Sequence, residues 1–286
     1  MKNQKTIKLI IFGLFLVIFS VTCFAQNTNL LKRTIYKTDK LDFGAGGTVT
    51  IVGAPNGSIE IEGWQKNEVE ISAEIEVQAG TETDLAMLSE INNFVLEESM
   101  GHLSIISVGT HDKQYMKRTA KKFPKHLLAL PFRIDYKVKV PVFCDLEIDG
   151  GSGDFNLSNV DGTMKVNYLN SNAKLALVGG MMNATFGEGT VDISIPTRGW
   201  RGRFADVQLA KGDMNVQLPL SLNAELTASI LSTGKIENLY KYLRPIARKD
   251  KFSDQSIVAK AGNGGVTLKF TVGNGNLKLA ELDSGK

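Results

Sequence analysis

The 286-residue chain holds 33 Lys and Arg against 30 Asp and Glu, a formal charge of +3, with 43% hydrophobic residues, two cysteines and three histidines. Three of its lysines, Lys2, Lys5 and Lys8, precede an uncharged apolar run from Leu9 to Phe19, so the excess charge belongs to the first residues. The balanced remainder argues against a whole-surface electrostatic partner such as duplex DNA, and no nucleic-acid partner is expected.

Lysines, an apolar run and small residues ending in Cys23-Phe24-Ala25 follow the order of a secretory signal. The run is shorter than the roughly 20 residues that span a bilayer. Residues 1–25 are therefore expected to be a signal peptide, cleaved after Ala25 to leave Gln26 first. The competing reading is a lipoprotein signal with Cys23 lipidated, but Ser20 and Thr22 stand where an aliphatic and a small residue are wanted. Cleavage would leave Cys144 as the sole thiol, with no internal disulfide; in Val142-Phe143-Cys144-Asp145-Leu146 it reads as a small core residue on a strand.

Beyond the signal, apolar and polar residues alternate, and Gly, Asn, Asp and Ser punctuate them, as at Asn56-Gly57, Asp161-Gly162 and Asn274-Gly275. That is the period of half-buried strands joined by tight turns. From Thr83 to Asn93, Leu85, Leu88 and Ile91 recur at helical spacing, which predicts one short amphipathic helix. Strand-like pieces at Phe94–Glu97 and Leu103–Val108 follow.

A unit of glycine, any residue, apolar, polar, apolar recurs at Gly57-Ser-Ile59-Glu-Ile61, Gly153-Asp-Phe155-Asn-Leu157, Gly162-Thr-Met164-Lys-Val166, Gly189-Thr-Val191-Asp-Ile193, Gly212-Asp-Met214-Asn-Val216 and Gly275-Asn-Leu277-Lys-Leu279. With further starts at Ala173 and Gly234, the spacing is roughly 20 residues per two-strand unit, within the range of solenoid repeats. A unit this small cannot bury its own apolar face, so neighbours must stack. The expected fold is all-β, a β-solenoid-like stack of short strand repeats with one short helix in the N-terminal part. Its expected division is residues 26–136, a β-rich part with the helix and a basic insertion, and residues 137–286, the repeat stack.

Tyr136-Lys-Val138-Lys-Val140-Pro141, an alternating strand closed by proline, leads into Leu146-Glu-Ile148 and glycine-led strand pairs. Lys211-Gly212-Asp213-Met214-Asn215-Val216-Gln217-Leu218-Pro219, Leu226-Thr-Ala228 and Ser232-Thr-Gly234-Lys-Ile236 continue the pattern. Over roughly residues 40 to 280 this resembles the bacterial family of unknown function labelled "putative adhesin", and more distantly the head domains of adhesin-like surface proteins. The resemblance implies a solenoid-like stack in a secreted or envelope-attached protein, without known catalytic residues. The pattern breaks at 196–205 and 240–254, where loops would carry binding.

Catalytic and metal constellations are sparse. His102, His111 and His126 include no pair at metal-ligand spacing. Gly150-Gly151-Ser152-Gly153-Asp154 reads as a turn rather than a calcium-binding repeat, and Asp154 replaces the second glycine that a nucleophile elbow around Ser152 would need. No cofactor, metal site or catalytic residue is expected.

Three cationic stretches remain. Lys113, Lys117, Arg118, Lys121, Lys122 and Lys125 are interleaved with Tyr115, Phe123 and His126; Lys241, Arg244, Arg248, Lys249 and Lys251 with Tyr240, Tyr242 and Phe252. Arg198-Gly199-Trp200-Arg201-Gly202-Arg203-Phe204 places three guanidiniums and two aromatics on an expected loop. Such residues suit phosphate, carboxylate or sugar. For the two lysine-rich stretches the sequence favours solvated loops that keep sheet edges soluble; for the Arg-Trp stretch it favours neither reading. The functional expectation is an exported, non-catalytic envelope or surface module, adhesin-like, in the periplasm, at the outer membrane or on the cell surface. Its partner would be a glycan, anionic lipid or another envelope protein. The alternatives are a polysaccharide-processing β-helix enzyme and a periplasmic structural or regulatory protein.

Overall fold

The computed structural model describes residues 30–196, 201–247 and 251–282. The expected signal peptide and Arg198, Trp200 and Arg248 lie outside them. Within them the chain is all-β, and its centre is three long strands, β10 (Thr163–Ala176), β11 (Gly179–Ser194) and β12 (Arg201–Leu218). They pair in parallel, Val166 beside Ala184 and Ala184 beside Val207. Stacked positions are 18 residues apart between β10 and β11, as Val166 and Ala184 show, and 23 apart between β11 and β12, as Ala184 and Val207 show.

Each long strand is two strands joined at a corner. The first half of β10 pairs with β8 (Asp145–Ser152) and its second half with β9 (Phe155–Ser158), which Gly153 and Asp154 separate. The corner recurs at Gly189, Gly212, Gly234 and Gly275, all at positive φ, and a β-carbon at any of them would strike a carbonyl of the rung beside it. The glycine that opens the sequence unit is therefore the corner residue, except at Gly162, which precedes the first half of β10 and has no positive φ. Only Gly combines that backbone with that approach.

Stacking does not follow chain order throughout. The rung β2 (Thr48–Val52) and β3 (Ile59–Trp64) sits between β8–β9 and the pair β6 (His102–Val108) and β7 (Phe132–Pro141). At the other end β17 (Val266–Asn274) and β18 (Leu277–Glu281) insert between β12 and the pair β13 (Ala224–Thr233) and β14 (Ile236–Asn238). A repeat period read along the chain cannot reveal such interleaving.

Antiparallel strands finish both ends. β4 (Glu68–Ala79) lies between β7 and β1 (Leu31–Asp42), and β5 (Asn93–Ser99) covers β6. Opposite, β16 (Ser256–Ala261) lies between β13 and the three-residue β15 (Leu243–Pro245). Short, charged or proline-bearing edges discourage pairing with other chains.

One apolar cluster runs from Phe43 to Leu279 and includes fully buried Met214 and Leu226. Phe155, Tyr168 and Phe186 stack within it at centroid distances of 5.4 to 6.5 Å. A smaller cluster of Val77, Ala79, Leu85, Leu88 and Leu127 attaches the helix α1 (Glu82–Ile91) to β4. The Thr81 hydroxyl accepts from the Asp84 amide and starts α1 close to where spacing predicts it. A second helix, α2 (Lys113–Thr119), departs from the expectation of one helix. It is short, buries only Met116 and therefore leaves no apolar periodicity. Among the described residues no helix is long and apolar enough to cross a membrane.

Candidate functional site

The first cationic stretch is a folded insertion between β6 and β7. Fully buried Asn92 donates from Nδ2 to the Leu88 carbonyl, and its Oδ1 accepts from the Thr110 amide at 3.1 Å, tying the start of the insertion to the end of α1. Next to it the His111 ring stacks on Phe132 at 5.3 Å, and burial pushes its pKa down. Asp112 caps α2 by accepting from the Gln114 and Tyr115 amides. A 3-10 turn, Lys125–Leu127, inserts buried Leu127 under α1, and His126 Nε2 lies 3.6 Å from Asp84.

Anchored this way, Lys113, Lys117, Arg118, Lys121, Lys122 and Lys125 are all exposed, and none has an ion-pair partner among the described residues. Lysines on the strands differ: Lys32 pairs with Glu76, Lys40 and Lys139 with Glu70, Lys211 with Glu188, Lys269 with Asp206 and Lys278 with Glu237. Cations on the strands are largely neutralised locally, whereas those of the insertion are not.

The other stretches lie elsewhere. Arg244 is on β15 opposite Lys260, with Lys241 and Lys251 exposed nearby in sequence. From β6 to β16 the ladder takes eight steps, β6–β2–β8–β10–β11–β12–β17–β13–β16, roughly 38 Å at about 4.8 Å each. The two lysine-rich stretches are thus at opposite ends and form no common site. Arg203 departs from the expected loop: it lies within β12, exposed, as the extra residue where the register shifts between Gly180–Gly202 and Met181–Phe204. β12 begins at Arg201, whose backbone pairs with Gly179.

A further feature escaped the sequence reading. The second halves of the rungs join β1, β4, β7 and β3 into one ten-strand face, β1–β4–β7–β3–β9–β10–β11–β12–β18–β14. Its outward side carries amide–carboxylate pairs between rungs: Asn172 to Asp154 at 3.3 Å, Asn215 to Asp192 at 2.8 Å and Asn276 to Asp213 at 3.1 Å. Beside them the small residues Ser158, Ala176, Ser194 and Ala280 leave an open groove of about 500 Å³, rimmed by Asn156, Lys174, Asn215, Gln217 and Lys278. The signal was present as polar residues one and three places after each corner glycine, but their stacking depends on register. Such a surface offers many hydrogen-bond donors and acceptors along the stack.

Burial pushes the Cys144 thiol up to about 12 and holds the Tyr136 hydroxyl well above the usual phenol range, where Tyr136 shares a 2.6 Å hydrogen bond with Ser107. No group of three His, Cys, Asp or Glu suited to a metal ion occurs among the described residues.

Comparison with known proteins finds no matching family model and no matching curated protein. Solved structures do match. A "putative cell adhesion protein" from Clostridium sporogenes is 14% identical, with a TM-score of 0.48, covering 87% of this chain and all of that one. A "putative adhesin" from Bacteroides fragilis is 12% identical, with a TM-score of 0.31, over 86% of this chain and 97% of its own. A "putative lipid binding protein" from Parabacteroides distasonis is 13% identical, with a TM-score of 0.34, over the same shares.

Proposed function

We propose that this chain is an exported, non-catalytic, adhesin-like binding module whose solenoid-like stack holds a cationic insertion rigidly for contact with an acidic envelope polysaccharide. The observation that carries the reading is that Lys113, Lys117, Arg118, Lys121, Lys122 and Lys125 have no ion-pair partner among the described residues, on an insertion anchored by Asn92, Met116 and Leu127. A loop that served only solubility would need no buried anchors. Fixed cations lose less conformational entropy on binding than flexible ones, and a compact positive surface attracts a polyanion from a distance.

The groove on the ten-strand face extends the contact surface available to a polymer by its hydrogen-bonding rows. Arg203 and Arg244 are peripheral to this reading, since they lie mid-stack and at the opposite end. Residues 1–25 are proposed as the signal peptide that exports the chain. Calorimetric titration with a uronic-acid polymer and with its neutral counterpart tests the proposal: heat of binding with the acidic polymer alone supports it, and equal responses to both, or to neither, refute it.

A further inference from the structure

The end of the stack opposite the insertion has a different surface chemistry. Leu220, Leu239, Tyr242, Ile246 and Val258 are 42% to 53% exposed there. Tyr240 organises three of them. Its buried hydroxyl donates to the Pro219 carbonyl at 2.7 Å, its ring meets Tyr242 edge-on at 5.4 Å, and Leu220 and Leu239 are the chain neighbours of Pro219 and Tyr240. Leu243 on β15 is buried, while Tyr242 just before the strand and Arg244 within it are exposed. Pro245 pairs with Ala259, which leaves exposed Ile246 and exposed Val258 as the next residues beyond the last pair of the β15–β16 ladder.

Cations are set among these apolar groups. Lys241, Arg244 and Lys251 are exposed and make no ion pair among the described residues, while Lys260 faces Glu225 across β13 and Arg244 across β15. The insertion at the other end is more basic but carries one exposed large apolar side chain, Leu128. The two cationic patches thus differ: the insertion is polar apart from Leu128, whereas the β15–β16 patch mixes its cations with Leu, Ile and Tyr.

We infer that the β15–β16 end docks on an anionic lipid surface, with Tyr242, Ile246 and Leu239 entering the interfacial region and Lys241 and Arg244 meeting headgroup phosphates. A large exposed apolar patch marks a contact surface, and interleaved cations select a negatively charged one. Tyrosine suits the boundary, where its ring is apolar and its hydroxyl remains wet. A protein partner would find little backbone edge to pair with, because β15 is three residues long. This inference is independent of the polysaccharide reading, since it uses the far end of the stack.

The test is cosedimentation of the mature chain with phosphatidylcholine vesicles, with and without phosphatidylglycerol, at low and physiological salt. The wild type is expected to bind the phosphatidylglycerol vesicles, with part of the binding surviving physiological salt. Tyr242→Ser with Ile246→Ser, which keeps every charge, should bind about tenfold or more weakly and lose the salt-resistant part. Lys241→Gln with Arg244→Gln should remove the preference for phosphatidylglycerol. Because Tyr242 touches Tyr240, Ile246→Ser with Val258→Ser serves as the pair that leaves that contact intact. Unchanged melting temperatures certify each variant. Absence of wild-type binding at low salt, or wild-type affinity in the apolar variants, overturns the inference. Loss of vesicle binding only on neutralising Lys117, Arg118, Lys121 and Lys122 also overturns it, by moving the lipid contact to the other end.

Discussion

The α-carbon of Gly212 lies so close to Gly189 on the neighbouring rung that a β-carbon there would stand 1.8 Å from the Gly189 carbonyl oxygen. Gly212 also has a φ of 132°, which side-chain-bearing residues rarely adopt. Backbone strain and steric overlap then act together, so Gly212→Ala is expected to cost about 3 kcal/mol or more. Urea denaturation measures it; a loss below about 1 kcal/mol would mean that the corner relaxes easily.

The same column shows what was legible in the sequence. The glycine-led unit and its alternation announced an all-β chain and an inward face that includes Met214 and Leu226, because period-two burial is a local property. The insertion of β17–β18 between β12 and β13–β14 was hidden, since it depends on contacts 63 and 41 residues apart. α2 was hidden because one buried methionine gives no period. The cations of the insertion were visible as residues, but not their lack of partners, which follows from where α1, β4 and β7 place the acids. Ser171 occupies the corner level between Gly153 and Gly189, which explains why the unit beginning there looked like a start at Ala173.

Tyr168 is buried in the aromatic stack, and its hydroxyl has no hydrogen-bond partner among the described residues. Removing an unsatisfied buried hydroxyl is favourable, so Tyr168→Phe should raise stability by about 1 kcal/mol. A lower melting temperature for the variant would show that the hydroxyl is satisfied in solution.

Cys144 is 1% exposed and its pKa is pushed up to about 12 by burial, so thiolate is scarce at neutral pH. A native chain beginning at Gln26, which lacks Cys23, should leave Ellman's reagent unreacted over hours, and the same chain unfolded should react at once. Rapid native labelling would contradict the core position.

Glu76 is buried, and the hydrogen-bonded Lys32 ammonium holds its carboxyl below the usual range, with Gln78 and Arg133 assisting. A depressed folded pKa gives stability that is fully present above the unfolded value of about 4.3 and is lost as pH falls through the folded one. Glu76→Gln should therefore be less stable than wild type at pH 7, by about 1 kcal/mol given that Lys32 and Arg133 are half exposed, and should lose less stability on acidification. Parallel acid dependence in both proteins would remove Glu76 from the ledger.

The proposed function requires the cations of the insertion to make the contact with an acidic polymer. The most direct measurement is affinity for a uronic-acid polysaccharide as a function of salt, for wild type and for the variant with Lys117, Arg118, Lys121 and Lys122 all changed to Gln. The Debye length falls from about 30 Å at 0.01 M salt to about 8 Å at 0.15 M, so wild-type binding should weaken steeply over that range. The variant should bind about a hundredfold or more weakly at low salt, with a shallower salt dependence and an unchanged melting temperature. Equal affinity and equal salt dependence in the two proteins would contradict the account and return these side chains to the role of a solvated surface.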